Sequence, residues 1–138
     1  MTTTLVDTGP IVALLNRQDR HHRWAVETFA ALRPPLLTCE AVLSEAAYLL
    51  RRLTDGPEKA IEMLLRGVVA VPFRLEGEAA PVKKLLARYR DVPMDLADAC
   101  LVRLSELHGD CVLLTIDSEF RTVYRRHGRQ AIPTRSPD

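Results

Sequence analysis

Four carboxylates in this chain are hard to explain as a set by structural duty alone: Asp7, Glu45, Asp98 and Asp117. Asp7 closes the run Thr4-Leu5-Val6, and Asp117 closes Val112-Leu113-Leu114-Thr115-Ile116. An α/β sheet binds its ligands beyond the carboxyl ends of its strands. Taken singly, either aspartate reads first as a helix cap, because Asp ahead of a helix accepts from free backbone N–H groups. Glu45 has Ala41, Val42, Tyr48 and Leu49 at helical spacing around it, which places it in an apolar stripe. An ionised carboxylate is costly to bury there unless it is paired or binds a cation. The plainer readings are a place at the edge of the stripe or a buried arginine partner. Asp95 and Asp98 stand three apart and share one helix face. Asp95 is placed to cap, whereas Asp98 has Leu101 and Val102 on its own side. Glu40 needs no further role than compensating a helix dipole.

Carboxylates gathered in one cleft repel each other strongly in a low dielectric. Divalent cations relieve that repulsion, and Mg²⁺ and Mn²⁺ prefer oxygen ligands while keeping several waters. Such ions generate a nucleophile from water and stabilise the leaving oxygen of a phosphodiester. Thr8 and Thr115 add hydroxyls beside Asp7 and Asp117. They suit orienting a carboxylate or a metal-bound water, and equally capping a turn.

The elements that must position these groups alternate between strand and helix. Thr3 to Val6 is a short β-rich run broken by Asp7-Thr8-Gly9-Pro10, and Ile11 to Leu15 reads as a helix with Pro10 in its first turn. Helices are predicted from His22 to Leu32, from Thr38 or Cys39 to about Leu53, and from Glu58 to Leu65. Others run from Glu76 to Tyr89, Asp95 to His108 and Ser118 to Arg126. Strands are predicted at Leu36 to Thr38, Val68 to Val71 and Cys111 to Thr115, with a weak one around Gln130 to Ile132. This alternation predicts an α/β layered fold with a mainly parallel sheet. The reading is one domain over residues 1–132 and a flexible tail over 133–138.

A chain of 138 residues, 47% apolar and 27% charged, buries enough surface to fold without a disulfide or structural metal. Its net charge of +1 gives no global signal for nucleic acid. All but Lys59, Lys83 and Lys84 of the 19 cationic residues are arginine, and Arg121, Arg125, Arg126, Arg129 and Arg135 crowd the C-terminal end with His127. That crowd is either a solvated face or a phosphate-binding edge, with Arg121 and Arg125 the first candidates. Cys39, Cys100 and Cys111 are odd in number and lack C-x-x-C spacing, which predicts a reducing, cytoplasmic setting. No apolar run reaches the roughly 18 residues of a membrane span, and no secretory leader is expected.

The stretches Leu5-Val6-Asp7-Thr8-Gly9-Pro10, Ser44-Glu45-Ala46, Leu96-Ala97-Asp98-Ala99 and Leu114-Thr115-Ile116-Asp117 resemble, in order, the four acidic motifs of the PIN domain. The resemblance spans essentially the whole chain. It implies a three-layer α/β/α sandwich with a five-stranded parallel sheet and a Mg²⁺- or Mn²⁺-dependent endonuclease acting on RNA. It puts the family's acidic positions on Asp7, Glu45, Asp98 and Asp117, with Thr115 as the frequent Thr before the last Asp and Asp95 as an auxiliary acid. Length and layout are similar to VapC toxins of toxin–antitoxin pairs, which implies an antitoxin partner and a homodimer.

Other chemistries fit less well. A dehalogenase-type phosphatase needs a second Asp where Gly9 stands, and a receiver domain needs a lysine later than Lys84. No phosphate-binding G-x-x-x-x-G-K-[ST] occurs. His21, His22, His108 and His127 sit in no nucleophile motif. A catalytically silent binding module and a structure-selective DNA nuclease remain as alternatives.

Overall fold

The computed structural model describes residues 1–137, and it is built around one parallel sheet. The sheet order is β3-β2-β1-β4-β7, formed by Val69–Ala70, Leu36–Leu37, Thr3–Val6, Cys111–Leu114 and Thr134–Arg135. Apolar residues put β1 and β4 at the centre: Leu5, Val6, Leu113 and Leu114 are fully buried. Their register pairs Val6 with Leu114, so the residues that follow the two strands emerge side by side. The chain builds outward from β1 through β2 to β3, then returns to add β4 on the other side of β1. The order of strands therefore reverses between β1 and β4, the place where open α/β sheets hold their ligands.

Helices α1 (Thr8–Leu15), α2 (His22–Ala31), α3 (Glu40–Leu49) and α4 (Gly56–Leu65) pack among themselves, and α5 (Ala79–Arg88) packs on α6 (Leu96–Leu107). With the short α7 (Glu119–Thr122) they complete a three-layer α/β/α sandwich, as expected from the motifs. Arg103 ties α6 to α5: its Nε donates to Glu78 Oε1 at 2.7 Å and its Nη1 to Glu106 Oε1 at 3.1 Å.

Several boundaries differ from the sequence reading. Helix α3 stops at Leu49 rather than near Leu53, because the next helix crowds its end. A Cβ on Gly56 would lie 1.9 Å from the Leu50 carbonyl oxygen, so only glycine allows this approach. Asp55, at φ 57°, makes the turn, and α4 starts two residues earlier than expected, with Pro57 in its first turn.

The C-terminal region departs most. A helix from Ser118 to Arg126 is not formed: α7 ends at Thr122, and Tyr124 is drawn fully into the core against Phe120 and Tyr89. The chain then makes a small antiparallel hairpin of β5 (Arg125–Arg126) and β6 (Gln130–Ala131), turning through His127 and Gly128, both at positive φ. The weak strand near Gln130 to Ile132 thus exists but lies outside the main sheet. The fifth strand comes instead from residues expected to be a flexible tail. In β7, Thr134 and Arg135 pair with Leu113 and Leu114. The Leu113 N–H donates to Pro133 O at 2.8 Å and the Thr115 N–H to Arg135 O at 3.1 Å. Two residues carry too little pattern to announce a strand; an open edge of β4 is what recruits them. Asp138, the last residue of the expected tail, lies outside the described residues.

Candidate active site

Each acid of the expected set is delivered by a different element, and all of them line one open cleft of about 450 Å³. Asp7 leaves β1 and caps α1, its Oδ1 accepting the Thr8 N–H at 2.7 Å. Its Oδ2 accepts from Thr115 Oγ1 at 2.8 Å, which ties the end of β1 to the end of β4. Thr115 Oγ1 in turn accepts the Asp117 N–H at 3.0 Å, and Asp117 Oδ1 accepts the Glu119 N–H at 2.9 Å. Both aspartates therefore cap and line the cleft at once. Gly9 lets this corner close: a Cβ there would meet the Ile116 side chain at 3.3 Å.

Glu45 reaches the cleft from α3 and accepts from Thr8 Oγ1 at 2.6 Å. It sits at the edge of its apolar stripe, with Val42 and Ala46 buried beside it and Tyr48 and Leu49 exposed. Asp95 and Asp98 form a reciprocal capping box at the start of α6. The Asp98 N–H donates to Asp95 Oδ1 at 2.8 Å, and the Asp95 N–H to Asp98 Oδ2 at 3.2 Å. The same Asp98 Oδ2 also accepts from Tyr124 Oη at 3.2 Å.

The electrostatics follow from this crowding. Burial, opposed by the Thr115 and Thr8 hydrogen bonds and reinforced by the charges of Asp117 and Glu45, pushes the Asp7 carboxyl up to about 6. Burial and the charge of Asp95 push Asp98 up to about 7, with smaller contributions from Asp7 and Asp117. Burial, then the charge of Asp98, raises the Tyr124 hydroxyl as well, so it stays protonated as a donor. The donor set is entirely oxygen: four carboxylates, an auxiliary acid and hydroxyls fixed by hydrogen bonds. Among the described residues, no three His, Cys, Asp or Glu side chains are gathered into a group that could hold a metal ion as they stand. The acids line a shared cleft, and all-oxygen donors are the type a hard divalent cation prefers when it keeps part of its water. By donor chemistry the residues fit such an ion, whose charge would offset the repulsion felt by Asp7 and Asp98.

Thr8 lines the cleft and Thr115 lies buried beneath Asp7. Arg121 lines a second, smaller pocket behind Asp117. Arg125 lines neither: its guanidinium is folded back onto the carbonyls of Tyr124, Arg121 and Thr122 at 2.9–3.4 Å. Arg126 is likewise spent on the carbonyls of Ser105 and Gly109. Two of the five C-terminal arginines are therefore structural: Arg125 serves carbonyls left open where α7 ends early, and Arg126 those at the end of α6.

Two residues of the site carry no signal in the sequence, one lining the cleft and one buried behind it. Glu119 lines the site, but an acid in a helix's first turn is explained by the dipole and gave no signal. Tyr124 falls inside the helix expected from Ser118 to Arg126, and only its burial in the core brings its hydroxyl to Asp98.

A family model described as PIN domain matches residues 4–126. Among solved structures, the chain is similar to the VapC20 toxin of Mycobacterium tuberculosis, described as cleaving the sarcin–ricin loop. The TM-score is 0.72 at 25% identity, covering 80% of this chain and 87% of that one. It is also similar in fold to DNA-bound VapBC from Salmonella typhimurium, with TM-score 0.58 and 15% identity over 99% and 98% of the two chains. No curated protein sequence matches the chain.

Proposed function

The chain belongs to the PIN domain family, and on that premise we propose that it is a toxin-type, metal-dependent endoribonuclease that hydrolyses RNA phosphodiester bonds. One observation carries the reading: Asp7, Glu45, Asp98 and Asp117 meet in one cleft at the sheet's switch point, with Asp7 and Asp98 held above the ordinary carboxylate range. The similar mycobacterial toxin, described as cleaving the sarcin–ricin loop, supports a nuclease assignment.

In this mechanism Asp7, Asp98 and Asp117 would hold Mg²⁺ or Mn²⁺, directly or through water, and such an ion would supply a more acidic water and charge stabilisation at the phosphate. Glu45 completes the set or orients the attacking water, its position fixed by Thr8 Oγ1. Thr115 holds Asp7 in place, and Asp95 and Tyr124 hold Asp98. Arg121 is the basic group left to meet the RNA backbone, since Arg125 is engaged with carbonyls.

The protein acts with an antitoxin partner and as a homodimer. Exposed Tyr48, Leu49, Ile61 and Leu65 on α3 and α4 support an apolar face of that kind, and Leu49 also lines the cleft. The three free cysteines support a reducing cytoplasm. No helix among the described residues is long and apolar enough to cross a membrane.

The test is cleavage of a mixed structured-RNA pool with Mg²⁺, with Mn²⁺ and with EDTA. Wild type cuts only with metal. Asp98→Asn loses more than the roughly 10–100-fold typical of an outer-sphere partner. Full metal-dependent cleavage by Asp98→Asn would sink the site assignment. Intact RNA under every condition would favour a silent binding module.

A further inference from the structure

We propose that the small polar pocket behind Asp117 is a phosphate subsite, holding the backbone phosphate next to the one cleaved in the acidic cleft. This rests on the ribonuclease reading. Three separate segments build the pocket: His21 from the turn before α2, Ser118 and Arg121 around the start of α7, and Thr134 and Ser136 from β7 and just beyond it. Pairing of β7 with β4 is what brings Ser136 up beside the β4–α7 turn. Ile116 and Asp117 line both this pocket and the acidic cleft, so the two cavities share a wall. An extended strand with one phosphate in the cleft can therefore place its neighbour here.

The pocket's chemistry is that of a phosphate site. Its volume is about 60 Å³, room for a group the size of a few waters. That suits a phosphate and excludes a nucleoside. Among the described residues, the Arg121 guanidinium has no hydrogen bond and no carboxylate partner, whereas Arg23, Arg66, Arg74 and Arg103 are all ion-paired. The hydroxyls of Ser118, Thr134 and Ser136 and the His21 ring carry no hydrogen bond among these residues either; His21 is engaged through its backbone alone, its N–H donating to Asp19 Oδ1 and its carbonyl accepting from the Ala25 N–H. Arginine's planar fork matches phosphate oxygens, and hydroxyls complete the remaining lone pairs. Asp117 on the shared wall opposes an anion. Arg121 offsets that charge, so occupancy depends on it above all.

Amide-resolved NMR without divalent cation tests this, because no cleavage then interferes. Inorganic phosphate and a uridine trinucleotide are titrated separately into wild type and Arg121→Gln. Arg121 is exposed, and the spectrum itself reports that the variant is folded. Both probes should shift the amides of Ser118, Arg121 and Ser136 saturably, with affinity about tenfold lower in Arg121→Gln, the worth of one charge-assisted hydrogen bond. The trinucleotide should also move amides of the acidic cleft. No saturable shift with either probe, or equal affinity in the variant, overturns the subsite. Phosphate binding that the trinucleotide does not reproduce makes it a free-anion site and overturns it too. The outcome is independent of whether wild type cuts the RNA pool, so failure here and failure of the ribonuclease reading are separable.

Discussion

Asp98 shows how one carboxylate is held ready for a cation. Its Oδ2 accepts from both the Asp95 backbone N–H and the Tyr124 hydroxyl, and it lies within the fields of Asp95, Asp7 and Asp117. Tyr124→Phe keeps the buried ring and removes only the donor. It should cost about 1 kcal/mol of stability and weaken Mn²⁺ binding by about tenfold. Calorimetric titration with Mn²⁺ checks the second figure, which loss of packing alone would not move. The raised carboxyls also set a pH dependence. Folded Asp7 and Asp98 bind protons more tightly than their unfolded counterparts at 3.8. Their contribution to stability is therefore complete below about pH 4 and is lost as pH rises through about 6 and 7. Thermal unfolding in EDTA should show wild type losing stability over that range relative to Asp98→Asn. A difference between the two that is flat with pH would contradict this account.

At the scale of elements, β7 is the piece whose removal is most telling. It supplies carbonyls to the Leu113 and Thr115 N–H groups, and Thr115 carries the hydroxyl that holds Asp7. A chain ending at Ile132 should lose about 2 kcal/mol, two net hydrogen bonds, seen as a lower urea midpoint. RNA cleavage should fall with it, because Thr115 loses its backbone anchor. Unchanged stability and cleavage would mean that residues 133–138 are the tail their composition suggests. The opposite edge depends on a different device. Gly56 allows α4 to start against the end of α3, and α3 carries Glu45.

For the molecule as a whole, a net charge of +1 supplies no global field for a polyanion, and an acidic cleft repels one until a cation offsets its charge. On the proposed assignment, the same cleft couples folding to a divalent cation. A cation that binds the folded chain and not the unfolded one adds stability by mass action. At about a hundred times its Kd, Mn²⁺ should add about 2.7 kcal/mol, reversed by EDTA and largely absent in Asp98→Asn. Calorimetry of thermal unfolding reads this directly. Equal Mn²⁺ stabilisation of wild type and Asp98→Asn would place the ion elsewhere.

Much of this protein is local and therefore legible in the chain. The β1 and β4 runs, the helices between them and the aspartates that follow both strands are set by short-range pattern. Asp7 and Asp117 at strand ends, and Asp98 beside apolar helix positions, are legible in the chain, and they line one cleft. Other features depend on contacts between distant residues, which no local pattern encodes. Helix α7 ends early because the core takes in Tyr124. Arg125 is folded back onto carbonyls that this early end leaves open. The fifth strand is two residues recruited by the free edge of β4. Glu45 turned out half-exposed, because whether a helical stripe is covered depends on what packs against it. Sequence periodicity chose the elements and the acids; tertiary packing decided which side chains were left free to meet a ligand.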